Sequence, residues 1–163
     1  MNFDPRQFRS ALSCFATGVT IVTCLGEDGA PHGVTVNSFS SVSLSPPLII
    51  FSLDLETRSL PSFQASAGFS VNVLASSQTS LSQKFAETGI EKWDDVTWHK
   101  GETGAPVLEG VIACLDCLPE AAYPGGDHLI FVGRVENCEV KEGDAPLLFY
   151  KGAYREVADL AET

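Results

Sequence analysis

Three polar stretches hold the groups best suited to binding chemistry. The first, Gly33-Val-Thr-Val-Asn-Ser-Phe-Ser-Ser-Val-Ser-Leu-Ser-Pro-Pro-Leu48, leaves one strand-like segment, turns through a polar bend and enters another. Hydroxyls, an amide and backbone N–H groups converge between Thr35 and Ser41. Such a bend can hydrogen-bond the edge of a flat heteroaromatic ring, or a phosphate, without a charged side chain. Taken alone, it reads more readily as a Ser-rich turn whose hydroxyls bond their own backbone. The second stretch, Phe51-Ser-Leu-Asp-Leu-Glu-Thr-Arg-Ser59, runs from a strand into a short helix. Thr57 and Ser59 there either cap the helix or help its N-terminal donors meet a phosphate, with Arg58 or the later Lys84 supplying charge. The third, Tyr123-Pro-Gly-Gly-Asp-His-Leu-Ile-Phe-Val-Gly-Arg-Val135, places His128 at a strand start after two glycines. His128 either points into a cleft, where it could hold a nicotinamide ring or its phosphates, or is an ordinary surface residue.

Other chemistries lack their motifs. There is no GxGxxG fingerprint for a Rossmann site, no GxxxxGK[ST] loop, no HExxH and no GxSxG elbow. His32, His99 and His128 have no ligand-like spacing, so no metal site is expected. Reactivity is therefore expected to come from a bound cofactor.

The elements that must position these groups are mostly β. A helix is expected from Asp4 as N-cap and Pro5 as first residue, with Phe8, Ala11, Leu12 and Phe15 on one face, ending at Gly18. A hairpin follows, from residues 19–25 through Glu27-Asp28-Gly29 to 32–36. Residues 41–44 form a short strand and 48–53 an apolar strand buried on both faces. A short helix over 57–65 turns Leu60 and Phe63 inward. Residues 68–74 alternate as a strand, and Ser76 or Ser77 caps a helix through Ala86, with Leu81 and Phe85 on one face. Residues 87–110 read as loop with one short strand near Trp98. Strands 111–118 and 128–136 pair through a connection at 121–127, and short strands at 147–151 and 154–157 complete the chain. Residues after 158 are expected to fray.

The bulk composition narrows the class. A chain of 163 residues, 44% apolar, favours one domain spanning 1–163 with its own core. The formal charge of −11 and the lack of a basic run argue against nucleic acid as a partner. The longest strongly apolar run, Leu48-Ile49-Ile50-Phe51, is far short of a membrane span. Asp4, Arg6 and Arg9 interrupt any signal-like segment, so a cytoplasmic location is expected. Five cysteines at irregular spacing argue against a disulfide framework. Cys114 and Cys117 form a CxxC on an expected strand, where residues three apart point to opposite faces and cannot easily share a metal. Many short strands with helices between them indicate a mainly β, barrel-like fold with peripheral helices.

Further segments add to these three. They are Phe15-Ala-Thr-Gly-Val-Thr-Ile-Val-Thr23, Phe69-Ser-Val-Asn-Val-Leu-Ala75, Gln78, Leu81-Ser82, Phe85-Ala86, Gly104-Ala-Pro-Val-Leu108, Gly126-Asp-His128 and Tyr150-Lys-Gly-Ala-Tyr-Arg155. In this order, from Phe8 to Val157, the chain resembles the short flavin reductases that supply two-component monooxygenases, which have the FMN-binding split β-barrel fold. The resemblance implies NAD(P)H-dependent reduction of FMN, with FAD or riboflavin as further candidates and NADH or NADPH as hydride donor. It also implies a homodimer and a monooxygenase partner.

The same resemblance implies site roles. Thr35, Val36, Asn37 and Ser38, with Ser41 beside them, would line the flavin ring and ribityl chain. Ser52, Leu53 and Ser59 would continue along it. Asn72, Val73 and Leu74 would support the opposite wall, and Gln78, Lys84 and Phe85 would close the phosphate end. His128, Tyr154 and Arg155 would face the nicotinamide. The readings left open are another FMN-dependent oxidoreductase or oxidase on the same fold, a non-catalytic flavin or haem module, and a β-barrel with no ligand.

Overall fold

The computed structural model describes residues 4–89 and 91–158. The first helix, α1 (Pro5–Ser13), begins as its sequence dictates: the Asp4 carboxylate accepts from the Arg6 N–H at 2.9 Å, and Pro5 occupies the first turn. It stops well before Gly18. Thr17 and Gly18 are instead captured as β1 (Thr17–Gly18) by pairing with Phe149 and Leu148. No residue of α1 is buried, and Leu12 and Phe15 lie largely in solvent.

A hairpin of β2 (Thr20–Leu25) and β3 (Pro31–Val36) follows, closed around Gly29 at φ 77°. Next come β4 (Ser40–Leu44), β5 (Pro47–Asp54), α2 (Leu60–Ala65) and β6 (Phe69–Val73). The helix α3 (Thr79–Ala86) is entered through a single 3-10 turn, Ser76–Gln78. Neither Ser76 nor Ser77 caps it. The Gln78 side chain accepts from the Ala75 N–H at 3.0 Å instead. The chain continues through β7 (Trp98–Lys100), β8 (Pro106–Leu108), β9 (Ala113–Gly125), β10 (His128–Val140), β11 (Leu148–Tyr150) and β12 (Ala153–Arg155). The fraying expected beyond residue 158 lies outside the described residues.

Seven strands form one antiparallel sheet in the order β3-β2-β6-β9-β10-β5-β4, with a small sheet β1-β11-β12 and the β7–β8 pair beside it. The fold is mainly β with peripheral helices, as expected. Alternation along each strand sends side chains to two cores. Val22, Phe51, Phe63, Phe69, Cys117 and Phe131 pack in the first, where the Phe51 and Phe131 rings stack at 5.0 Å. Ile21, Leu74, Phe85, Leu108 and Cys114 pack in the second. Cys114 and Cys117 thus face opposite ways and are free thiols.

Only part of the sheet is covered on both faces. The strand β6 was expected to alternate, but it lies mid-sheet and buries nearly every residue. The strand β5 was expected to be buried on both faces. It alternates instead, with Ile49, Phe51 and Leu53 in the core and Leu48, Ile50 and Ser52 half-buried. The cause is position: no residue of β4, β5 or β10 belongs to the second core.

Buried polar side chains hold the β7–β8 pair over the second face. Asn72 Oδ1 accepts from the Leu108 N–H at 2.8 Å, and its Nδ2 donates to Ile21 O and Thr23 Oγ1. Thr23 Oγ1 donates to Pro106 O. The Asp116 carboxylate accepts from Ser70 Oγ and from the Glu102 N–H. These bonds make β8 a strand where only one short strand was expected near Trp98, because a three-residue segment with a Pro has little strand signal of its own.

The β9–β10 hairpin is also longer than expected. Residues 121–125, read as a connection, continue the strand, and the turn is confined to Gly126 and Asp127. Pairing of β9 with β6 ends at Cys117, so Pro119 and Pro124 lie where β9 has a neighbour on one side only. A proline is tolerated there because its missing N–H faces no partner strand.

Two predictions follow from this packing. A Cβ on Gly33 would press into the Phe85 ring, itself edge-on to Trp93 at 5.1 Å. Gly33→Ala is expected to cost about 1–3 kcal/mol through overpacking, read as a lowered urea midpoint, and an unchanged midpoint contradicts this. Burial pushes the thiols of Cys24, Cys114 and Cys117 up to about 12, leaving roughly one part in ten thousand as thiolate at pH 8. A thiol reagent at that pH should label only exposed Cys14 and Cys138 in the native protein and all five cysteines in denaturant. Rapid native labelling of a third would contradict the packing.

Candidate functional site

The bend after β3 is held by one hydroxyl. Ladder pairing between β4 and β5 begins at Ser40, opposite Ile50, so the β5 edge would be unpaired at Ser52. Ser38 fills the gap: its Oγ accepts from the Ser52 N–H at 2.9 Å and donates to Ser52 O at 3.1 Å. One side chain thus substitutes for a strand residue and pins the bend to β5. Asn37, next in line, is exposed, and its amide makes no hydrogen bond among the described residues. Ser41 is exposed at the sheet edge with its hydroxyl equally free.

Cross-strand register brings further residues to this region. Ser52 lies opposite Ile130, and Asp54 opposite His128, so these four share the face of the sheet that the second core leaves uncovered. His128 is half-buried, and its Nδ1 lies 2.7 Å from Asp127 Oδ1. The hydrogen bond and charge of His128 hold the Asp127 carboxyl below the usual carboxylate range.

A second group gathers around α3. Thr35 Oγ1 donates to Ser82 O at 2.7 Å, and Ser82 Oγ lies 2.9 Å from the Tyr154 hydroxyl. The Tyr154 ring meets Phe149 edge-on at 5.5 Å. Arg155 is exposed, its guanidinium donating to Tyr154 O. Lys84 donates to Asp94 O, and Lys92 to Phe85 O at 2.8 Å. Burial pulls the Lys92 ammonium below its ordinary range. The two groups meet through the bend, since Thr35 and Ser38 are three residues apart.

Other residues on the expected list stand behind this surface. Val36 and Leu53 point into the first core, and Leu74 and Phe85 into the second. Asn72 is buried with its amide fully engaged, and Val73 is half-buried beside it. Gln78 spends both ends of its amide internally, on Ala75 N–H and Glu109 O. Ser59 precedes α2 and makes no side-chain capping bond. Ser82 was absent from the expected list, because a serine on a helix face carries no sign of a partner near the far end of the chain.

Asn37, Ser38, Ser41 and Arg155 are the exposed members of the expected list. Two pockets lie elsewhere, one lined by His99, Lys100, Asp116 and Glu139, the other by Leu25, Ala67 and Thr103. Among the described residues no group of His, Cys, Asp and Glu could hold a metal. The donor set suits a flavin. Asn37 and Ser41 offer neutral hydrogen-bonding groups for a ring edge or ribityl hydroxyls, while exposed Arg155 and half-buried His128 supply donors for anionic groups.

Comparison with known proteins identifies the family. The family described as "Flavin reductase like domain" matches residues 12–158. The reductase subunit HsaB of a flavin-dependent monooxygenase from Rhodococcus jostii is 40% identical over 151 residues, 93% of this chain and 77% of that protein. The FMN reductase (NADH) SmoA of Agrobacterium fabrum is 42% identical over 151 residues, 93% of this chain and 85% of that protein. The solved structure of the NADH:FAD oxidoreductase SgcE6 of Streptomyces globisporus, in complex with NAD and FAD fragments, superposes with a TM-score of 0.91 at 37% identity, covering 99% of both chains. With the matched region taking in the bend, the sheet and α3 together, the chain belongs to the flavin reductase family.

Proposed function

We propose that this protein is an NAD(P)H-dependent flavin reductase that supplies reduced flavin to a separate monooxygenase component. The observation that carries the reading is the bend 36–40, pinned through Ser38 to Ser52 on the face that also presents His128. When bound, the flavin supplies the hydride-accepting chemistry, so the chain needs no nucleophile or metal of its own.

The protein's own work is positioning. Asn37 and Ser41 meet the polar edge and ribityl chain of FMN, on a backbone held by the Ser38 clasp. Leu53, Asn72, Val73, Leu74 and Phe85 keep the wall in place from behind. Ser59, Gln78 and Lys84 stand toward the phosphate end. His128 and Arg155 hold the nicotinamide donor, with Asp127 orienting the His128 ring. Holding two reactants at near-attack distance can contribute about 7–11 kcal/mol in favourable cases.

The site is open on one side in a single chain. Leu44 is 94% exposed, and Val42, Leu55 and Tyr123 are also exposed. A homodimer that covers such apolar surface and closes the cleft accounts for both features. We also read the whole chain as one domain and place it in the cytoplasm. Among the described residues no helix is long and apolar enough to cross a membrane.

Steady-state oxidation of NADH and NADPH, with FMN, FAD and riboflavin added separately, tests the function. Turnover that requires added flavin is expected, and a protein that oxidises neither nicotinamide with any flavin contradicts the reading. His128→Ala is expected to raise KM for the nicotinamide about tenfold, the ~1.4 kcal/mol of one lost charge-assisted hydrogen bond, and to leave flavin affinity within twofold. Equal losses for both ligands would reject that division of labour.

A further inference from the structure

We propose that Ser82 is a positioning residue of this site: it fixes the Tyr154 hydroxyl as an outward-facing donor and ties it to Thr35. The proposal rests on the flavin reductase reading and adds a residue to it. Ser82 is fully buried in α3. Its main chain and side chain reach different parts of the site, the carbonyl accepting from Thr35 on β3 and the hydroxyl meeting Tyr154 on β12. It therefore joins β3, just before the bend, to the C-terminal strand β12.

The direction of the Ser82–Tyr154 bond follows from counting partners. A serine hydroxyl has one proton to donate. Among the described residues, Tyr154 is the only hydrogen-bond partner of Ser82 Oγ, and Ser82 Oγ is not left as an unpaired buried atom. Leaving that proton without an acceptor inside the protein would cost the full desolvation of a buried donor. Ser82 therefore donates and the Tyr154 oxygen accepts. The Tyr154 proton must then point away from α3. Tyr154 is half-buried, and its ring is held against Phe149, so the phenol cannot easily turn to another partner. The outcome is a rigid neutral donor, held at its oxygen by Ser82 and at its ring by Phe149. Such a donor suits the carboxamide of a nicotinamide or the carbonyl edge of a flavin.

A double-mutant cycle on Ser82→Ala and Tyr154→Phe tests this in the full chain, with two readouts. The first is urea unfolding of the ligand-free protein, in which the two hydroxyls should be coupled, so that the second substitution costs less once the first is made. Additive losses there would overturn the hydrogen bond. The second is flavin reduction, with KM and kcat separated. Each single variant should raise KM for the nicotinamide or flavin about five- to tenfold, and the double variant should be no worse than Tyr154→Phe. Ser82→Ala that lowers the urea midpoint but leaves KM within twofold would make Ser82 purely structural and overturn the proposal. Multiplying KM losses would overturn it as well. An active wild type with unaffected variants refutes this proposal alone, whereas an inert wild type refutes the flavin reductase reading beneath it.

Discussion

The structure depends on a sheet that is covered on both faces along part of its width and on one face along the rest. In β2, β6 and the start of β9 most residues are buried, so polar residues there must find partners inside the protein. Asn72, Thr23 and Asp116 do so by taking the backbone and side-chain groups of the β7–β8 pair and its tip. In β5 and β10 the second core is missing, and the same strand alternation that buries Phe51 and Phe131 turns Ser52, His128 and Ile130 toward the open side. The candidate site is a consequence of that asymmetry. A sheet covered throughout would have no place for a flat ligand, and one covered nowhere would not hold its strands in register.

Two hydroxyls translate the sheet into a site. Ser38 ends the β5 edge by substituting for a missing strand, which fixes where the bend leaves the sheet. Thr35, three residues earlier, anchors the same segment to α3. The helix is itself located by Phe85, whose ring covers Gly33 and continues through Trp93 to Trp98, the ring centroids of the two tryptophans being 5.9 Å apart. The polar bend is thus fastened at both ends to buried structure while Asn37 between them stays exposed. Groups held in this way can meet a ligand without first reorganising. An acidic chain of net charge −11 that handles anionic ligands also needs positive charge placed locally, and Arg155 and Lys84 are candidates for it.

Much of this was legible in the sequence because local signals and tertiary structure agree. Asp4-Pro5 opened a helix, Glu27-Asp28-Gly29 closed a hairpin, and Leu60 and Phe63 turned inward, each for a reason contained within a few residues. The strand parity of Cys114 and Cys117 correctly assigned them to opposite faces. The misreadings arose where distant residues decide. Nothing near β5 says that its outer face lacks a cover. Nothing near Pro106 says that Thr23 and Asn72 wait to accept its strand. Pro124 looked like part of a connection because it is the early end of β6 that makes it tolerable. For the site, the bend and His128 stood out as polar groups at the ends of apolar strands. Ser82 did not, since its significance lies in a contact with Tyr154, 72 residues away.

The most direct test of the account is a crystal structure of the protein soaked with FMN. The account predicts the isoalloxazine and ribityl chain within hydrogen-bonding reach of residues 37–41 and of Ser52, on the face that carries His128. Flavin seated instead in the pocket between His99 and Asp116, or more than a few ångströms from the bend, would contradict it.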